Sequence, residues 1–152
     1  MRIKRAQASD AVEAVALVRR SIAELCGADH GADPRSLAGW LSNKTVENMR
    51  EWIAQSVVVV GMEDDRIVGV AALTDTGRMT LNYVTPEFRF RGVSNALVRQ
   101  LEFEAAKLCV TTIELDSTLT ALQFYRSLGY RSVVGMSEEF ASAMRYPMTK
   151  PP

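Results

Sequence analysis

The chain has little of what metal, thiol and nucleic-acid chemistry require. It contains one histidine, His30, and two cysteines, Cys26 and Cys109, among 152 residues. The cysteines are widely spaced and fall on helical patterns, which points to buried reduced thiols rather than a disulfide framework or a metal site. There is no excess of either charge: 18 basic residues offset 18 acidic ones. A protein held to nucleic acid or to a membrane surface by its overall charge is therefore excluded, and any anion site must be local. No run approaches the roughly 18 apolar residues of a membrane span, and Met1 to Gln7 has no signal-like apolar core, so a cytoplasmic protein without a membrane partner is expected. Internal repeats, linkers and low-complexity tracts are absent. What is present is ordinary for a globular protein, 47% hydrophobic and 24% charged residues, at the length of one domain spanning residues 1–152.

Hydrophobic periodicity divides the chain into alternating elements. Met1 to Arg5 reads as a first strand. Ser9 or Asp10 then caps a helix with Val12, Val15, Ala16, Ile22 and Leu25 on its apolar face, stopped by Gly27. A polar loop from Ala28 to Pro34 precedes a short helix around Leu37, Trp40 and Leu41. Thr45 caps another, carrying Val46, Met49 and Ile53. Val57 to Met62, Ile67 to Leu73 and Met79 to Val84 read as three antiparallel strands, turned at Asp64-Asp65 and at Asp75-Thr76-Gly77. Beyond Pro86 a helix follows with Val93, Leu97, Leu101, Ala105 and Leu108 on one stripe, leaving Arg99, Glu102 and Lys107 off it. Thr111 to Leu115 is a strand, Leu119 to Leu128 a helix stopped by Gly129, and Arg131 to Val134 and Met144 to Met148 are closing strands. The order implies an α/β fold with a mixed sheet covered by helices on both faces.

The run Arg89, Phe90, Arg91, Gly92, Val93, Ser94 joins a strand to an amphipathic helix. Helix N-terminal amides lack intrahelical partners and sit at the positive end of the peptide dipoles, so they can receive phosphate oxygens. Gly92 lets the main chain approach a ligand closely, and Arg89 and Arg91 add charge opposed only by Glu87. A plain surface turn before a helix accounts for the same residues equally well. A dinucleotide fingerprint fails because only one of its glycines is present. A Walker loop fails for want of Gly-Lys-Ser/Thr.

These residues resemble the loop of the GNAT acyl-CoA-dependent N-acyltransferases, in which Gln/Arg, any two, Gly, any, Gly/Ala is matched by Arg89, Gly92 and Ser94. A second match, Ala121, Phe124, Tyr125, Leu128, Gly129, Tyr130, is similar to the family's helix and turn, and the order of elements agrees over nearly the whole chain. Ser94 replaces the usual Gly or Ala, and Thr118 stands where many relatives carry Asn. The resemblance implies a mostly antiparallel sheet of about seven strands flanked by helices, and acetyl-CoA as cosubstrate. It places the coenzyme on Tyr83, Val84, Arg89, Phe90, Arg91, Gly92, Val93, Ser94, Asn95, Thr118 and Phe124, with the pantetheine arm between two splayed strands. It makes Tyr125 the group that protonates the departing thiolate, where helical spacing with Leu122 and Leu128 alone reads as core packing.

Strand alternation puts Arg78, Thr80 and Asn82 on one face and Met79, Leu81 and Tyr83 on the other. No Glu or His stands on the polar face to deprotonate an amine; Asn82 can hold a water there, or make an ordinary edge hydrogen bond. The acceptor pocket is expected from the loop and short helix after the first helix, with Asp29, His30, Trp40 and Asn43 as candidates, Lys44, Glu24 and Asp33 beside them. His30 titrates in a suitable range for a base, and Trp40 equally suits core packing. Two functions follow: direct acetyl transfer to a primary amine of a small molecule or protein, or a coenzyme-binding sensor without turnover. The sequence is compatible with a homodimer and does not determine oligomeric state.

Overall fold

The computed structural model describes residues 1–25, 33–133 and 146–152. Its strands are β1 (Arg2–Arg5), β2 (Val57–Glu63), β3 (Arg66–Leu73), β4 (Met79–Val84), β5 (Ile113–Ser117), β6 (Arg131–Ser132) and β7 (Tyr146–Lys150). The helices are α1 (Ala11–Leu25), α2 (Pro34–Leu41), α3 (Val46–Gln55), α4 (Val93–Lys107) and α5 (Leu122–Ser127). The expected single sheet of about seven strands is divided in two: β1, β2, β3 and β4 pair antiparallel in that order, and β5, β7 and β6 form a second antiparallel sheet. One parallel bridge, Arg78 to Glu114, and a hydrogen bond from the Glu114 amide to the Gly77 carbonyl at 2.9 Å link the two. Beyond that bridge the facing edges of β4 and β5 are unpaired with each other.

The apolar run of β2 is explained by its central place. Val57 and Val59 enter the core beneath α4 and α5, whereas Val58 and Val60 enter the core beneath α1 and α3. A strand buried on both faces needs no polar alternation. Glycine is required at one contact in particular: a Cβ on Gly69 of β3 would lie 2.7 Å from Val93 Cγ1 and 2.8 Å from Leu97 Cδ1. Its absence lets the first turns of α4 lie directly on the sheet. At the Asp64-Asp65 turn, both residues take positive φ, 48° and 61°, as a tight hairpin demands.

Several sequence expectations are corrected. The first helix starts through a 3-10 turn at Ala8–Asp10, and Asp10 closes it by accepting the Gln7 amide at 2.8 Å. Its buried stripe is Ala11, Ala14, Val15, Leu17, Val18, Ser21 and Ile22; Val12 and Ala16 are exposed. On α4, Glu102 is buried rather than off the stripe, because Lys150 from β7 reaches its carboxylate at 2.6 Å, and Leu108 is exposed. Cys109 is also exposed, past the helix end at φ 60°. The strand after it begins at Ile113 rather than Thr111, and the next helix begins at Leu122 rather than Leu119, since Thr118 Oγ1 accepts the Ala121 amide at 3.2 Å and caps an intervening turn. The closing strands are Arg131–Ser132 and Tyr146–Lys150. Cys26, Gly27, Val134 and Met144 lie outside the described residues.

Candidate active site

A cavity of about 520 Å³ opens where β4 and β5 part. The chain after β4 turns at Pro86–Phe88, and Phe90 and Gly92 then adopt positive φ, 63° and 80°, which swings the backbone into α4. The first bond of the helical ladder runs from the Ala96 amide to the Gly92 carbonyl at 3.1 Å. The amides of Val93, Ser94 and Asn95 thus precede the ladder at the positive helix end. Apart from Gly92 and its adjoining backbone, no atom of the described residues lies within 4 Å of where a Gly92 Cβ would stand, so its need is for the backbone angle. The Arg89 guanidinium stacks over the Phe90 ring at 4.6 Å, and that ring is 91% exposed.

Of the residues expected to hold a coenzyme, Tyr83, Val84, Arg89, Phe90, Gly92, Val93, Ser94, Asn95, Thr118 and Phe124 line this cavity. Arg91 does not: its guanidinium lies over Phe88 at 5.0 Å. Asn82 and Tyr125 meet inside. The Asn82 Nδ2 donates to Tyr125 Oη at 3.0 Å, and the Tyr125 hydroxyl lies 3.8 Å from Met79 Sδ. Burial pushes the Tyr125 phenol up to about 12, partly offset by the Asn82 bond, so it is a protonated donor at neutral pH. Its ring packs edge-on against Phe124 and Tyr130, with centroids 5.1 and 5.6 Å away. Tyr130 is raised in turn, first by burial and then by the Glu102 charge.

The Asn82 Oδ1 is buried without a hydrogen-bond partner among the described residues. Turning the amide over would let Tyr125 donate to Oδ1 and would orphan Nδ2 instead. In either orientation one amide atom is left for a ligand or water.

Alternation along β4 is broken. Leu73 pairs with Met79 and Ala72 with Leu81, so Thr80 is an extra residue in a bulge. Met79 therefore joins the core on the α4 and α5 side, while Leu81 and Tyr83 pack toward α1. The expected grouping of Met79 with Leu81 and Tyr83 is overturned for that reason.

Of the expected acceptor residues, Trp40 and Asn43 do not line the cavity. Trp40 packs partly buried against the core beneath α1. Asn43 is exposed, its Oδ1 accepting from Lys44 Nζ at 2.6 Å. Asp33 caps α2 by accepting the Arg35 amide at 3.2 Å, and Glu24 pairs with Arg20 at 2.7 Å. Asp29 and His30 lie outside the described residues. In their place Ser21 and Leu25 of α1, Thr80, Leu81 and Asp116 line the cavity. Ser21 was detectable as a small polar residue on an apolar stripe; Asp116 carried no signal before the pairing of β5 was known. Arg20 also reaches across to the loop before α4, bonding Thr85 Oγ1 at 3.3 Å and Glu87 Oε2 at 3.0 Å. With Thr85 donating as well, Arg20 holds the Glu87 carboxyl down at about 2.

Comparison with known proteins identifies a family and shows a shared fold. Residues 29–151 match a family model described as an acetyltransferase (GNAT) domain. No curated protein matches the chain by sequence. Among solved structures, a GCN5-related N-acetyltransferase from Rhodopseudomonas palustris is similar at a TM-score of 0.86 and 19% identity, over 99% of this chain and 95% of that one. The PaiA N-acetyltransferase of Thermoplasma acidophilum, solved with coenzyme A, is similar at 0.83 and 13%, over 99% and 98%. An aminoglycoside 6'-N-acetyltransferase, also complexed with coenzyme A, is similar at 0.73 and 18%, over 99% and 97%.

Proposed function

Because the chain belongs to the GNAT acetyltransferase family, we propose that it transfers an acetyl group from acetyl-CoA directly to a primary amine of a small molecule or protein. One observation carries this reading: a single cavity connects the amides at the start of α4 with the Asn82–Tyr125 pair. The residues present fit the coenzyme. The amides of Val93, Ser94 and Asn95 with Arg89 suit a pyrophosphate. The unpaired edge of β4 near Val84 suits the pantetheine amides, and Phe124 with Val84 gives an apolar wall.

When bound, acetyl-CoA supplies the activated acyl group. The chain's own part is to align the amine, keep the thioester carbonyl within reach and manage protons. A carbon–nitrogen bond forms at the acyl carbon as the carbon–sulfur bond breaks. Tyr125 gives its hydroxyl proton to the sulfur, and the nitrogen releases its proton to water, which reprotonates Tyr125. A water held at the unpartnered atom of Asn82 serves that last exchange. No covalent enzyme intermediate is needed.

Thiol release from acetyl-CoA over a panel of primary amines tests this, alongside calorimetry of coenzyme binding. One site per chain and amine-dependent release are expected. Absence of both heat and a melting shift at millimolar coenzyme would sink the assignment. The alternative, a coenzyme-binding sensor, is favoured by one observation: β4 presents Asn82 at the polar position and no carboxylate. Binding without release by any amine would select it.

A further inference from the structure

The cavity passes through the sheet. Its walls include Tyr125 on one face, and Ser21 and Leu25 of α1 on the other. On β5, Ile113 and Leu115 belong to the core under α4 and α5. By alternation Asp116 points to the opposite face, toward the α1 side. Only two described lining residues carry a charge: Arg89 at the phosphate-side loop, and Asp116 near the bridge where β4 and β5 meet. The remaining α1-side wall is formed by Leu25, Leu81 and Tyr83, with the hydroxyl of Ser21 among them.

We propose that Asp116 is the counter-ion that receives the acceptor as an ammonium ion, which gives one proton to water before the neutral amine attacks, and that the acceptor is a primary amine on an apolar stem without a neighbouring carboxylate. This rests on the acetyl-transfer reading and names the substrate class of that same cavity. The chemistry is complementary at each point. The Arg78 Nη2 donates to Asp116 Oδ2 at 2.5 Å, which leaves Oδ1 for a second cationic donor. Arg78 is already committed to that pair, and it does not line the cavity. Among the described residues that line the cavity, no basic side chain stands at this end to receive an acceptor carboxylate. An apolar stem replaces water along Leu25, Leu81 and Tyr83, where an acidic or strongly hydrated acceptor would lose hydration without compensation.

Steady-state thiol release with phenethylamine and with phenylalanine, which differ by one carboxylate, tests the proposal. The protein is expected to favour phenethylamine at least about tenfold in kcat/KM. Asp116→Asn should raise the KM for phenethylamine about ten- to hundredfold, the cost of a charge-assisted hydrogen bond, and leave the KM for acetyl-CoA unchanged. Arg78→Gln removes the ion pair and keeps the carboxylate, so its phenethylamine KM should stay within about threefold, since exposed pairs contribute little. Three outcomes overturn the proposal and leave acetyl transfer standing: equal use of phenylalanine, an unchanged KM in Asp116→Asn, or the same loss in Arg78→Gln. Coenzyme binding without release by any amine overturns the acetyl-transfer reading and this one with it. Should Asp116→Asn fail to fold, the ratio of the two acceptors and the Arg78→Gln result decide.

Discussion

Tyr125 combines packing and chemistry in one side chain: its ring is held edge-on between Phe124 and Tyr130, and its hydroxyl meets Asn82. Tyr125→Phe removes the hydroxyl and keeps the ring. General-acid assistance is typically worth about a hundred- to ten-thousandfold. The maximal rate is expected to fall by at least an order of magnitude, with water limiting the loss, while coenzyme affinity and melting temperature stay nearly constant. Full activity with lowered stability would reduce Tyr125 to a core residue. Gly92 presents the opposite case. Space surrounds its Cα, so Gly92→Asp should fold, at a cost of about 1 kcal/mol for the left-handed backbone. Its carboxylate would stand beside the amides of Val93 and Ser94, and calorimetry should show coenzyme affinity lowered at least about tenfold. Both residues were legible in the sequence because each belongs to a short motif whose spacing survives in one dimension. Arg91 was a candidate only by its charge and its place in the loop, since the motif leaves its position unspecified, and the structure turns its guanidinium over Phe88 and out of the cavity lining.

At the scale of elements, α1 is tied to the loop before α4 by Arg20. The same guanidinium holds Glu24 on its own helix and Glu87 on the loop. Glu87 keeps its charge at all ordinary pH values. Its carboxyl is depressed from 4.5 to about 2, so the stabilisation it gives is complete above the unfolded value and is lost only as pH falls through about 2. Arg20→Gln should leave that charge uncompensated near Arg89 and raise the coenzyme dissociation constant about two- to fivefold, the modest effect of an exposed pair. Glu87→Gln in the same chain should restore binding. No restoration would mean that Arg20 acts on α1 alone. Such a tie was invisible in the sequence, since residues 20 and 87 are related only through the fold. The bulge at Thr80 was hidden for a different reason. Threonine is an ordinary strand residue, and strict alternation assigned Met79 to the wrong face although the bounds of β4 were correct. Glu102 was misplaced because its partner, Lys150, arrives from the last strand. The strands of the first sheet, by contrast, were legible almost to the residue, because the run of valines in β2 and the paired aspartates after it leave few alternatives.

For the molecule as a whole, two cores lie on opposite faces of the first sheet, and the core under α4 and α5 buries two of the four tyrosines, Tyr125 and Tyr130. Both phenols are pushed up by burial, Tyr125 to about 12. The folded state thus favours the neutral phenol, whereas the unfolded chain ionises near 10. The stability tied to Tyr125 is complete below about pH 10 and declines as pH rises from there to about 12. A shift of this size corresponds to about 2 to 3 kcal/mol. Denaturant unfolding at about pH 9 and about pH 11 should show the loss, and an ultraviolet titration should show two tyrosines ionising together with unfolding. Four tyrosines titrating freely while the fold persists would contradict the burial of this core.

The parting of β4 from β5 has a consequence for amide hydrogen exchange. Peptide groups at the heart of the first sheet, in β2, are bonded on both sides and exchange only through opening of the whole unit. Past the Glu114–Gly77 bond, the amides that β4 and β5 turn toward each other have no cross-strand acceptor among the described residues, so in the free protein they should exchange with solvent deuterium many times faster, despite lying at the centre of the fold. An extended ligand bearing its own amides acts there as a missing strand. Adding coenzyme A should slow exchange at Asn82 and Val84 while leaving β2 unchanged. The molecule is thus built with its least protected backbone at its middle, and protection there becomes a measure of whether the gap is filled.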